Sequence, residues 1–207
     1  MILEHRGARP VVHPTAYVAP TAVLAGDVEV GPECRILFGA VVTADGGPVR
    51  LADHVVVMEN AVLRGTARNP LRIGAYSLVG PHASVSGAEI ETETFLATGC
   101  SVFNGARIGA GSEVRINGCV HLRTVLPPGS TVPIGWVAVG DPARILPPDR
   151  HEEIWAVQRE LDFPGYVFGV DRDAPDAMRR MIGRYSRALG EHRTDRAPED
   201  WDDRAES

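Results

Sequence analysis

The sequence predicts an all-β solenoid, a parallel β-helix of hexapeptide repeats followed by C-terminal α-helices. Two observations predict the coil and a third predicts the helices. Aliphatic residues recur at every sixth position, at Val18, Leu24, Val30, Ile36 and Val42. The beat resumes at Leu51, Val57 and Leu63, and again at Ile73, Val79 and Val85. After a five-residue step it runs through Ile90, Leu96, Val102, Ile108, Val114, Val120 and Leu126. Small and turn-forming residues fill the positions between, as in Ile73-Gly74, Val79-Gly80 and Ile108-Gly109. Each hexapeptide supplies one short strand and one corner, and three of them close a triangular coil with aliphatic side chains stacked inside. After Pro147-Pro148 the beat stops and helical spacing begins.

In chain order, residues 1–10 are expected to be a lead-in and residues 11–146 the coil. Two loops interrupt it, Asp45–Arg50 with Gly46-Gly47-Pro48 and Thr66–Arg72 with Asn69-Pro70. Such insertions leave the stack intact and project from its surface, where solenoids place binding functions. Residues 147–190 form the helical segment. Ile154, Trp155, Val157 and Leu161 share a face of one helix, with Arg150, Glu152 and Glu153 near its start. A Phe163-Pro164-Gly165-Tyr166 break follows. Met178, Ile182, Tyr185 and Leu189 then mark a second amphipathic helix ended by Gly190. These helices are expected to cover a flank or the last rung of the coil. The charged residues 191–207 read as a mobile tail.

Composition narrows the function classes. The 207 residues carry a net charge of −6, against the basic patch that general nucleic-acid binding needs. No apolar run approaches the roughly 20 residues that span a bilayer, and the opening residues do not read as a signal peptide. Cys34, Cys100 and Cys119 are too few and too scattered for a disulfide framework, so a reducing cytoplasm is expected. All 21 basic residues are arginines, which excludes Schiff-base chemistry and lysine general bases.

Several phrases resemble the γ-class carbonic anhydrase family. They are His13-Pro14-Thr15-Ala16-Tyr17-Val18-Ala19-Pro20-Thr21-Ala22-Val23, Gly26-Asp27-Val28, Gly39-Ala40-Val41-Val42 and Gly140-Asp141-Pro142-Ala143-Arg144. The resemblance covers residues 11–146. It implies a left-handed β-helix, an exception to the right-handed crossover rule, and a homotrimer with active sites in clefts between subunits. The closing phrase is shared with hexapeptide acyltransferases, so it marks the fold more than the reaction.

The family binds zinc or another divalent metal through three histidines, and the matching positions here depart from that pattern. They carry Arg64, Pro81 and either Ser84 or Ser86. The family's arginine-glycine-aspartate reads Thr43-Ala44-Asp45, and its glutamine-aspartate pair falls on Met58-Glu59. Proline offers no donor and arginine stays charged, so no resident metal or other cofactor is expected.

Stacking the beat at three repeats per turn places Val42, Leu63, Val85, Val102 and Val120 above one another. The following residues, Thr43, Arg64, Ser86, Phe103 and His121, then form an outer column. The resemblance sets Pro81 and His82 of a neighbouring subunit opposite it. Arg64, His82, Glu59, Asp45 and Ser86 are the candidate catalytic residues. Thr43, Met58, Pro81, Thr98, Phe103, Asn104, His121 and Tyr166 are the candidate substrate-binding residues. A guanidinium in place of the metal suits a small carboxylate, phosphate or acyl substrate, with His82 or His121 as acid or base. Alternatively, Arg64 pairs with Glu59 and fills a vacated cavity.

The favoured reading is a homotrimer without carbonic anhydrase activity, repurposed as a metal-free small-molecule enzyme, with neither nucleic-acid nor membrane partners. The alternatives are a non-catalytic scaffold, a coenzyme-A-dependent acyltransferase using His82, and a carbonic anhydrase whose metal site has moved to His82 and its symmetry mates.

Overall fold

The computed structural model describes residues 1–197. The strands form three sheets of nine, seven and seven strands, parallel except for the last strand of the nine-stranded sheet, and each turn of the coil contributes one strand to each sheet. This is a left-handed β-helix followed by two α-helices. The residues of the six-residue beat are buried, with Val18 half-buried near the first rungs. The expected stack holds in register: Val42 pairs with Leu63, Leu63 with Val85, Val85 with Val102 and Val102 with Val120.

Many corners use a residue with positive φ, among them His54, Tyr76, His82 and Glu93. A side chain in this region costs free energy. Here the corner amides recover it through bonds such as His82 N–H to the Glu59 carbonyl at 3.0 Å.

Three expectations need correction at the edges of the coil. The segment 1–10 is more than a lead-in: Ile2–Leu3 is the first strand of the nine-stranded sheet and pairs with Val23–Ala25, and Ile2 is buried in the core. At the other end, Arg144–Leu146 is not another rung. It turns back antiparallel against Val137–Val139 and terminates the sheet. The tail expected to be mobile from Glu191 is instead folded through Ala197. Gly190–Thr194 is a 3₁₀ turn, and Arg196 exchanges two backbone hydrogen bonds with Glu4. The remaining tail positions, 198–207, lie outside the described residues.

Helix α1, His151–Leu161, has Glu152 and Glu153 in its first turn, where the helix dipole favours acids. Ile154 is its buried anchor and Glu153 reaches Arg144 at 2.6 Å. Trp155 of the expected apolar face is exposed, and Arg172 lies over its ring. Pro164–Phe168 then forms a wide π-helical turn. Helix α2, Ala177–Leu189, leaves Met178 and Ile182 well exposed, turns Tyr185 and Leu189 partly toward the coil, and fully buries no residue within the single chain. Among the described residues no helix is long and apolar enough to cross a membrane.

Candidate functional site

The site begins with two strands that run past their rung. Val41–Asp45 and Val62–Thr66 are each five residues long, and their pairing continues through Gly65 with Ala44 and Thr66 with Asp45. The loops after them therefore extend the sheet. Alternation along a strand sends Thr43 and Asp45 to the outer face, beside Arg64 on the next strand. Arg64 pairs with Thr43 on one side and Ser86 on the other, as the column requires.

The Arg64 Nε lies 2.9 Å from Asp45 Oδ2, and Arg64 Nη1 donates to the Tyr185 hydroxyl at 2.8 Å. The expected alternative partner, Glu59, is not the one it takes. The other Asp45 oxygen, Oδ1, is 3.2 Å from His192 Nε2. His192 Nδ1 is 2.8 Å from Asp195 Oδ2, and His5 Nδ1 is 2.6 Å from Asp195 Oδ1. The two imidazoles stack with centroids 4.3 Å apart and planes 20° from parallel. Burial pushes the Asp195 carboxyl up, but hydrogen bonds to His192 and His5 outweigh it and hold the group below the ordinary carboxylate range.

His5, Asp45, Arg64, Tyr185 and His192 line a cavity of about 670 Å³ between the coil face and the folded-back C-terminal segment, and Asp195 stands behind the two imidazoles. Asp45, Arg64, Ser86, Phe103, Asn104 and Tyr166, all expected from the sequence, are brought together on its wall. Asn104 Nδ2 donates to Thr66 Oγ1 at 3.0 Å, and the Tyr166 hydroxyl donates to Asn69 Oδ1 at 2.7 Å. Gly105 is required beneath that tyrosine: its φ is +75°, and a Cβ there would lie 2.6 Å from the Tyr166 oxygen. Phe168 meets Tyr185 edge-on at 5.7 Å, while Arg184 holds the Phe168 and Gly169 carbonyls at 2.7 Å.

Other candidates lie elsewhere. Thr43 is in the column but buried, and its Oγ1 has no hydrogen-bond partner. His121 stands behind Phe103, with ring centroids 5.6 Å apart; burial lowers its pKa and its Nδ1 lacks a hydrogen-bond partner. Met58, Pro81 and Thr98 line a separate groove of about 500 Å³ on a different face, with Phe95 and Ile116. Glu59 and His82 occupy a corner, joined through the backbone, and His82 is exposed. Within one chain these five do not meet Arg64.

Sequence reasoning missed His5, His192 and Asp195. Two of them stand in a charged segment without periodicity, so no local signal shows that the chain ends meet.

No protein-family profile matches this chain. Among curated proteins, it is 25% identical over 171 residues to a carbonic anhydrase of Geobacillus kaustophilus, covering 81% of this chain and 91% of that protein. It is 29% identical over 151 residues to the mitochondrial gamma carbonic anhydrase 1 of Arabidopsis thaliana, covering 70% of this chain. The alignment spans only 53% of that plant protein, about half its length. In sequence the chain is similar to the gamma carbonic anhydrases. A solved structure of a candidate acetyltransferase from Bacillus cereus superposes with a TM-score of 0.53 at 19% identity, covering 88% of this chain and 96% of that one, a likeness of fold alone.

For this γ-carbonic-anhydrase-like chain, the positions that the resemblance assigns to zinc do not fit the ion. Arg64 presents a guanidinium already engaged by Asp45 and Tyr185. Pro81 has no side-chain donor, and a lone serine hydroxyl does not complete a nitrogen, sulfur or carboxylate set.

Proposed function

We propose that the chain is a diverged γ-carbonic-anhydrase-like homotrimer that does not hydrate carbon dioxide at the family's zinc position. It takes a small anionic substrate, a carboxylate or acyl compound, in the cleft at Arg64. One observation carries the reading: a guanidinium stands in the outer column, on the wall of a cavity of about 670 Å³. A planar fork of donors binds a carboxylate in two-point fashion and holds it for attack or proton transfer. Asp45 orients that fork, and the Tyr185 hydroxyl adds a donor at the same end of the cavity. His82 reaches such a substrate only from a neighbouring subunit. The apolar side chains that α2 leaves exposed supply material for that subunit contact.

The test measures melting temperature with and without millimolar acetate, malonate and succinate, in wild type and Arg64→Ala. Stabilisation of the wild type that disappears in the variant is expected, together with carbon dioxide hydration no faster than buffer. Zinc-dependent hydration lost in Arg64→Ala, or anion stabilisation that survives the substitution, would overturn the reading. Light scattering should give about 67 kDa, three times the 22.2 kDa chain; a monomer would remove the trimer.

A second reading, acyl transfer from a coenzyme A thioester, has its own support. Arg68, Arg107 and Arg123 line a neighbouring pocket of about 330 Å³ that shares Asn69 and Tyr166 with the main cavity. Three guanidiniums suit a phosphorylated carrier. Retention on immobilised coenzyme A, weakened by Arg107→Ala, would favour it.

A further inference from the structure

His5, His192 and Asp195 come from opposite ends of the chain, yet their donor atoms all lie within 4.8 Å of one another. Two features bring them there. The Glu4–Arg196 bridge runs antiparallel, so its register sets residue 5 beside residue 195. The 3₁₀ turn then brings residues three apart onto one side, which aligns His192 with Asp195. Two of the three are enclosed and the third opens to the cavity: the side chains of His5 and Asp195 are 2% and 10% exposed, and that of His192 is 31% exposed.

We propose that His5 Nδ1, His192 Nδ1 and the Asp195 carboxylate bind a divalent transition-metal ion of the zinc class, with Asp45 orienting His192. This goes beyond the reading of the cleft and does not depend on what Arg64 binds. Two imidazoles and one carboxylate are a recognised zinc donor set, and they leave a fourth position open. Tetrahedral bonds of about 2.0–2.1 Å set neighbouring donors roughly 3.3 Å apart. The present contacts of 2.6 and 2.8 Å therefore need to open by about 0.5–0.7 Å to seat an ion in place of the bridging protons.

A second observation, independent of that cluster, is the Asp45 carboxylate. Its Oδ1 is buried and has no well-aligned hydrogen bond, yet it stands 3.2 Å from His192 Nε2. A metal-bound histidine characteristically donates its other ring N–H to a carboxylate, which fixes the tautomer and orients the ring. With Nδ1 on the ion, Nε2–H of His192 has Asp45 Oδ1 as its acceptor. Asp45 is in turn positioned by Arg64. Two carboxylates against one guanidinium leave a net charge of −1 around the imidazoles, which favours a cation. The ion would fasten residue 5 to residues 192 and 195, at the edge of the cavity that His5 and His192 line.

The experiment uses the full chain, purified without a histidine tag, incubated with zinc chloride, exhaustively desalted and analysed by plasma mass spectrometry. About one zinc per chain is expected in wild type and in His82→Ala, falling below about a tenth in His5→Gln, His192→Gln and Asp195→Asn. Less than a tenth of an equivalent in the wild type overturns the proposal. So does zinc that survives all three substitutions, or zinc lost in His82→Ala instead. Should the substitutions unfold the chain, wild-type imidazole nitrogen spectra recorded with and without one equivalent of zinc still decide. Shifts confined to His5 and His192 are expected, and unchanged signals from those two rings overturn it.

Discussion

Replacing Arg64 by methionine, which keeps much of the aliphatic stem, isolates the charge that the cavity is built around. In the folded chain that charge faces Asp45 at 2.9 Å and donates to Tyr185 at 2.8 Å. A charge-assisted hydrogen bond contributes about 1.5–3 kcal/mol when well buried. The Arg64 side chain is 32% exposed and Asp45 15%, so solvent screening brings the pair nearer the surface value of up to about 1 kcal/mol. Losing the Tyr185 contact adds a similar amount. The total is about 1–2 kcal/mol, and at about 2–4 °C per kcal/mol for a chain of this size the melting temperature should fall by about 2–8 °C. The assay is thermal unfolding followed by circular dichroism, extended to a double-mutant cycle with Asp45→Asn. A coupling of about 1 kcal/mol is expected between the two sites. Coupling indistinguishable from zero would refute the pairing, and a melting temperature that rises would show that desolvating Arg64 costs more than its partners return.

Leu63→Ala removes a fully buried side chain from the middle of the aliphatic stack. It should cost about 2–5 kcal/mol, or about 4–20 °C in melting temperature, and a loss below about 1 kcal/mol would contradict the packing described. The cysteines should be inert: burial pushes the Cys100 thiol up to about 12 and Cys119 up to about 11, and raises Cys34 as well. At pH 8 the thiolate fractions of Cys100 and Cys119 are then about 10⁻⁴ and 10⁻³, so both should alkylate at least roughly 200-fold more slowly than an ordinary thiol. Equal rates in folded and denatured protein would sink this. Asp195 titrates lower in the folded chain than unfolded, so its contribution is present above the unfolded value of about 3.9 and is lost as pH falls through the folded value. The melting-temperature gap between wild type and Asp195→Asn should therefore close on acidification below pH 4; a gap that widens there would reverse the assigned shift.

The coil was legible because its information is periodic. Once Leu63 is placed, the register of Arg64 against Thr43 and Ser86 follows from counting, and the structure agrees residue by residue. Counting fails where the period ends. Ile2 is a single aliphatic residue with no earlier beat to extend, so its strand could not be read from spacing. Arg144–Leu146 has strand composition, but direction is set by the turn before it and not by the beat. Arg64 takes a different partner from the Glu59 of the alternative reading for a related reason. Glu59 is nearer in sequence, but the strand Val41–Asp45 continues past its rung and delivers Asp45 to the outer face. His192 was the hardest to foresee, since an exposed, charged segment has the composition of a tail until its backbone finds Glu4.

A hexapeptide coil by itself offers little depth for a ligand, because its outer faces are flat and its interior is filled with aliphatic side chains. Depth at Arg64 comes from parts that do not repeat. Two strands overrun their rungs, a π-helical turn brings Tyr166 over Gly105, and the C-terminal segment folds back until His192 meets Asp45. The coil and the covering segment thus answer to different constraints. Substitutions inside the stack should change stability and leave cavity chemistry in proportion to the folded fraction. Substitutions at Tyr185, His192 or Asp195 act on whether the cavity has a wall. The Arg64–Asp45 pair belongs to both: its backbone is fixed by the ladder, while its side chains are held by Tyr185 and His192 from the covering segment. Ligand binding at Arg64 should for that reason be coupled to docking of residues 177–197, even though no residue of that segment belongs to the repeat.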